Sequence, residues 1–211
     1  GPEFRLSARY AFTDNFSVKA GFNSMRQYIH KLSNTVIMSP TDTWKLSDVN
    51  IKPQRGWQAA AGLYLNSPSG IWEYSVEGYY KRMSDYLDYR GGAKLLMNHH
   101  IETDVINTQG HAYGVELQVK KQVGKLNGWM SYTYSRTFLR QNDKRIEKPV
   151  NNGDWYPTEY DKPHDFKFVG NYKFTHRYSM SINVDYSTGR PTTIPAGQYY
   201  DESTQSMRVY Y

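Results

Sequence analysis

The chain has 211 residues, of which 38% are hydrophobic and 16% aromatic, with 20 Tyr and 5 Trp. Net charge is +6 and pI near 9.2, but Lys and Arg are interleaved with Asp and Glu at strand spacing and form no stripe, which argues against nucleic acid as a partner. Cysteine is absent, which excludes a disulfide scaffold and thiolate metal sites, and no window approaches the roughly 18 apolar residues of a transmembrane helix.

A mean hydropathy of -0.78 suits one membrane architecture. Barrel strands alternate a lipid-facing apolar residue with a lumen-facing polar one, so the average stays low. Amphipathic rings collect where apolar and wet surfaces meet, which fits the aromatic excess.

In chain order, Phe4, Leu6, Ala8, Tyr10 and Phe12 alternate with Arg5, Ser7, Arg9 and Ala11, and Thr13-Asp14-Asn15 supplies a turn. Phe16, Val18, Ala20 and Phe22 form a second run, opposite Ser17, Lys19, Gly21 and Asn23. A third, from Trp57 to Leu65, ends at Asn66-Ser67-Pro68-Ser69-Gly70. A fourth begins at Ile71 and carries Trp72, Tyr74, Val76 and Tyr80 on one face. Val115, Leu117 and Val119 make a fifth, with a turn at Val123-Gly124-Lys125; Met130, Tyr132 and Tyr134 make a sixth. Phe166, Phe168, Gly170, Tyr172 and Phe174 make a seventh, and after Thr175-His176-Arg177 the eighth carries Met180, Ile182 and Val184.

The connections alternate in length. Those after runs one, three, five and seven are short; those after runs two, four and six are long, near Ile29–Arg55, Gly91–Gln109 and Phe138–Pro163. This rhythm predicts an all-β, antiparallel, up-and-down transmembrane barrel, with short periplasmic turns and long extracellular loops. Tyr178 and Tyr186 bracket an apolar stretch of roughly 26 Å at ~3.3 Å per residue, close to the height of a barrel's apolar band. Beyond Tyr186, residues 187–206 read as a loop and Met207-Arg208-Val209-Tyr210-Tyr211 as the start of a ninth strand. An unfinished strand leaves an open edge that hydrocarbon does not tolerate. The expectation is that residues 1–211 belong to one barrel domain and that the rest of the barrel lies outside this sequence.

An ordered set of segments carries a resemblance: Gln27-Tyr28-Ile29-His30, Pro40-Thr41-Asp42-Thr43-Trp44, Ile51-Lys52-Pro53-Gln54, Ala112-Tyr113-Gly114-Val115-Glu116-Leu117, Lys125-Leu126-Asn127-Gly128-Trp129-Met130-Ser131-Tyr132-Thr133-Tyr134-Ser135, Tyr160-Asp161-Lys162-Pro163-His164-Asp165 and Tyr186-Ser187-Thr188-Gly189-Arg190-Pro191. Together they resemble the C-terminal half of TonB-dependent outer-membrane receptors of the Bacteroidetes type. The resemblance implies a 22-stranded barrel, closed by a plug domain absent here, that imports a scarce nutrient such as a ferric siderophore, cobalamin, glycan or peptide. Energy would come from an inner-membrane complex through the plug and an N-terminal box; outer-membrane lipid surrounds the wall, and some members pair with a surface lipoprotein. The alternatives are a passive porin and a structural barrel docking a lipoprotein in a larger assembly.

Candidate contact residues follow from position. Arg5, Arg9, Lys19, Glu73, Glu77, Glu116 and Lys120 fall on the lumen-facing positions, where they line a substrate path, touch a plug or pair with one another. Trp44, His99, His100, Trp155, Tyr156 and Tyr160 fall in long loops, where rings stack on a ligand or pack the loops together. Glu102 and Asp104 near the histidines invite a metal reading, but adjacent side chains in a strand point to opposite faces. In Tyr160-Asp161-Lys162-Pro163-His164-Asp165, Pro163 suits a strand start and Asp161 suits a turn held by nearby backbone amides. No nucleophile, base and acid stand at a recognisable spacing, so neither catalytic residues nor a cofactor are assigned.

Overall fold

The computed structural model describes residues 2–32, 43–48, 51–89, 105–142, 149–192, 197–201 and 206–210. Among the described residues, thirteen strands occur in the order β1 (Arg5–Thr13), β2 (Phe16–Gln27), β3 (Ile29–Leu32), β4 (Thr43–Leu46), β5 (Gln54–Asn66), β6 (Trp72–Tyr89), β7 (Val105–Lys121), β8 (Leu126–Arg140), β9 (Tyr156–Pro157), β10 (His164–Lys173), β11 (Ser179–Ser187), β12 (Gly197–Asp201) and β13 (Ser206–Tyr210). The main sheet follows β1-β2-β5-β6-β7-β8-β10-β11, each strand antiparallel to the next, with β9 added to β8. The eight alternating runs are these eight main strands.

The short turns are held by their own side chains. Thr13 Oγ1 accepts the amides of Asn15 (3.3 Å) and Phe16 (3.0 Å), and Thr175 Oγ1 accepts those of Arg177 and Tyr178, both at 3.2 Å. Ser67 Oγ accepts the Trp72 amide at 3.1 Å. Each turn therefore satisfies donors that a tight reversal would strand.

Register lines up the alternation across the sheet. Tyr10, Val18, Leu63, Val76, Leu117, Tyr132, Phe166 and Tyr186 form one row of directly paired residues from β1 to β11. Rings border this apolar face at both ends. At the short-turn end Phe12 stacks on Phe16, Trp72 on Tyr74, and Tyr172 meets Phe174 edge-on. At the long-loop end Phe22, Trp57 and Tyr80 pack in sequence, and His111 joins Tyr80, Tyr113 and Phe138. Trp72 and Tyr80 lie on one face of β6 about 27 Å apart along the strand.

These large apolar side chains are mostly exposed. The chain's surface is 15158 Å², about half as much again as the ~10,100 Å² of a compact soluble chain of this mass. Buried apolar side chains among the described residues are few, and Met83, Val105, Ile106, Ala112 and Leu139 cluster toward the long-loop end. A surface of this kind is stable where hydrocarbon, not water, covers it.

The strands overrun their alternating parts. β7 begins at Val105 and β8 runs to Arg140, both inside segments expected to be loops; β6 continues to Tyr89 through a bulge between Ser84 and Tyr86. Asp85 takes φ 56° there and pairs with Arg55 at 2.9 Å. Beyond the bilayer no lipid demands an apolar face, so pairing persists while alternation fades. The long connections hold further short strands: β3 and β4 make a separate two-stranded sheet, as do β12 and β13. The expected ninth run is thus strand β13, paired with β12. At Gly128 the backbone has φ 153°, and a Cβ would lie 2.0 Å from the Val169 carbonyl oxygen, so only glycine lets β8 and β10 approach there.

Candidate functional site

The face opposite the apolar rows is polar, and six of the seven predicted lumen residues pair directly upon it: Arg9 with Lys19, Glu77 with Glu116, and Glu73 with Lys120. Arg5 faces Asn23. Only Glu73–Lys120 joins opposite charges, at 3.5 Å, with the Gln122 amide also donating to Glu73. The row through Arg9 and Lys19 continues over Gly62 to Glu77, Glu116, Thr133 and Asp165, basic at one side and acidic at the other. Tyr64 spans the glycine and donates to Glu77 Oε1 at 2.6 Å. Like charges directly opposite repel, so this row carries unbalanced charge on both sides.

Nearer the long loops the polar face forms a pocket of about 440 Å³, within the range ~300–1,000 Å³ of small-molecule sites. Small residues on β7 let neighbouring side chains fold over that strand beside the pocket. A Cβ on Gly110 would lie 2.9 Å from both Leu139 Cδ2 and Met83 Cε, and one on Gly114 2.8 Å from Tyr79 Cε1. With Ala112 between them, neighbouring side chains lean over a strip that has almost none of its own. Gln58, Lys81, Ala112 and Thr137 are cross-strand partners in one row, and all four line the pocket. Tyr79, Tyr86 and Tyr160 add aromatic lining, Met83 and Leu139 apolar lining, and Thr158 a further hydroxyl.

Segment 149–163 is fixed beside this pocket. Buried Gln141 donates to Asp88 Oδ2 (3.1 Å) and accepts the Val150 amide (2.9 Å), and the Tyr156 hydroxyl donates to the same Asp88 oxygen. Burial first, then the Asp88 charge, hold the Tyr156 phenol far above its ordinary pKa. Arg140 Nε donates to the Gly153 carbonyl at 2.8 Å. Asp161, 2% exposed, accepts the Thr137 amide at 2.7 Å and Arg136 Nε at 3.0 Å. The amide that it holds therefore belongs to the neighbouring strand, whereas a nearby amide had been expected. Pro163 stands just before β10, its carbonyl accepting the Ser135 amide at 3.1 Å.

The loop aromatics do not converge. Tyr160 lines the pocket, while Tyr156 ties segment 149–163 to β6 through Asp88. Trp155 meets the His111 ring edge-on at 4.3 Å, on the apolar side of the sheet. Trp44 is 67% exposed on the β3–β4 hairpin. His99 and His100 lie outside the described residues. Missing from the sequence reading were Gln58, Tyr79, Lys81, Tyr86, Thr137 and Thr158. The signal that could have found the pocket is Gly110, Ala112 and Gly114 at alternate positions, a bare face on a long strand.

A sheet with one girdled apolar face, one polar face and all its tight turns at one end is the wall of a transmembrane β-barrel. The chain belongs to the TonB dependent receptor-like β-barrel family, whose model matches residues 4–210. Two solved structures share the fold. One is that of the FpvAI–pyocin S2 complex, with a TM-score of 0.60 and 10% identity over 97% of this chain and 25% of that one. The other is the ferripyoverdine receptor of the outer membrane of Pseudomonas aeruginosa bound to ferripyoverdine, with a TM-score of 0.57 and 11% identity over 98% of this chain and 24% of that one. The chain thus spans about a quarter of the length of these structures. No curated protein matches it.

Proposed function

We propose that this chain is the C-terminal part of the barrel of an outer-membrane TonB-dependent transporter of the Bacteroidetes type, which imports a scarce nutrient and performs no catalysis. The family match over residues 4–210 carries this reading. Chemically, the chain's contribution is a wall: an apolar face solvated by lipid, and a polar face that lines the lumen. Arg5, Arg9, Lys19, Glu73, Glu77, Glu116 and Lys120 line that lumen, and the unbalanced rows on either side of Gly62 meet complementary charges of the plug or of passing solute. Short turns face the periplasm and long loops the exterior, so the pocket opens on the capture side. Energy reaches the barrel from the inner-membrane complex through a plug and N-terminal box outside this sequence.

Deleting the gene should abolish uptake of one nutrient from a defined panel, and inactivating the energy-coupling protein should abolish the same uptake. Uptake that persists without energy coupling would refute the reading in favour of a passive pore. A barrel that carries no uptake and co-purifies in fixed ratio with a lipoprotein would refute it in favour of a structural subunit.

A further inference from the structure

Among the described residues, the pocket beside β7 holds a cation without a counterion. Lys81 is half-buried, none of the residues lining the pocket is acidic, and no carboxylate pairs with Lys81 among the described residues. Thr158 also lines the pocket and is 6% exposed. Three phenols, Tyr79, Tyr86 and Tyr160, line the same pocket as Lys81 and offer both ring faces and hydroxyls. Segment 149–163, which supplies Thr158 and Tyr160, is anchored through Asp161 and Gln141, so the lining is set before any ligand arrives.

We infer that this pocket binds a hydroxylated organic acid of sugar size, its carboxylate on Lys81 and its hydroxyls and ring or carbon skeleton against the tyrosines. The inference rests on the import reading and names the chemical class of what is captured. A neutral sugar would leave the ammonium uncompensated, and a cationic one would be repelled by it. Ala112 is central to the fit, because it lines the pocket itself and a larger side chain there would occupy it.

The test uses the full-length receptor in detergent and saturation-transfer NMR with three probes: glucuronate, glucose and glucosamine. Glucuronate should bind, with glucose and glucosamine weaker by about tenfold or more. Lys81→Met should reduce glucuronate binding by a similar factor, Lys81→Arg should retain most of it, and Ala112→Phe should abolish it while the barrel still folds. Glucose binding as well as glucuronate, no binding of glucuronate, or insensitivity to Lys81→Met or Ala112→Phe would each overturn the inference. Energy-dependent uptake measured in the same Lys81→Met strain separates the two readings. If uptake stays energised while acid binding is unaffected by the substitution, only the pocket assignment falls; if uptake needs no energy coupling, the import reading falls.

Discussion

A charge placed on the apolar face at mid-height should cost far more than the same charge elsewhere on the chain. Val76 lies four residues from Trp72 and four from Tyr80 on β6, so about 13 Å of strand separates it from each girdle. A strand tilt of roughly 40° reduces that to about 10 Å of depth, close to the bilayer centre. Val76→Arg should therefore destabilise the barrel by ~2–4 kcal/mol, a roughly 30- to 700-fold loss in the folded ratio. Val123→Arg begins from the same side chain but sits in a short turn, 59% exposed, and should cost about 0–1 kcal/mol. Ser75→Arg, whose partners are Tyr64 and Gln118 on the polar face, should stay within about 0.5 kcal/mol. The assay is denaturant unfolding of the full-length receptor in phospholipid vesicles, followed by tryptophan fluorescence. Val76→Arg indistinguishable from wild type, or Ser75→Arg costing as much as Val76→Arg, would refute the assignment of faces.

Gly128→Ala should destabilise by ~2–4 kcal/mol, from backbone strain and at least one lost ladder hydrogen bond, whereas Gly189→Ala, with open space at its Cβ, should be nearly silent in the same assay. Asp161→Ala should cost about 2 kcal/mol, below the ~3–5 kcal/mol of a fully buried pair because the Arg136 side chain is 27% exposed; Asp161→Asn keeps an acceptor for the Thr137 amide and should lose less. Limited proteolysis within 149–163 should report both, with cleavage fastest in the alanine variant. His30 is buried against Ser47 at 3.0 Å, and burial lowers its pKa below the ordinary value near 6.5. The unfolded hairpin then binds the proton more readily, so the β3–β4 pairing is at full strength above about pH 6.5 and weakens as pH falls below it. Amide exchange in β3 and β4, corrected for its intrinsic pH dependence, should rise on acidification in the wild type but not in His30→Gln.

The eight main strands were legible because a bilayer imposes a strict rule on sequence. Every second residue of a spanning strand must be apolar, and rings must stand at its borders, so Phe166 to Phe174 or Met180 to Val184 announce themselves without any partner in view. Tight turns were legible for a related reason: Thr13, Ser67 and Thr175 satisfy amides two to five residues away. Both kinds of signal are local. The polar faces of Arg9, Glu77 and Glu116 followed from the same alternation.

What alternation could not carry was anything above the girdle. There the solvent is water on both sides, either face tolerates either residue type, and β6, β7 and β8 extend past the point where their pattern ends. Pairing alone decides those extensions, and pairing depends on residues far apart in the chain: Asp88 meets Gln141 and Tyr156, and Asp161 meets Arg136 and Thr137. Register likewise decided that Arg9 faces Lys19 and Glu77 faces Glu116, so that like charges sit together where opposite pairs had seemed equally natural. The pocket belongs to this second category. Lys81, Ala112, Thr137 and Thr158 come from four separate segments, and only the cross-strand rows and the segment folded back over them bring these residues to one hollow.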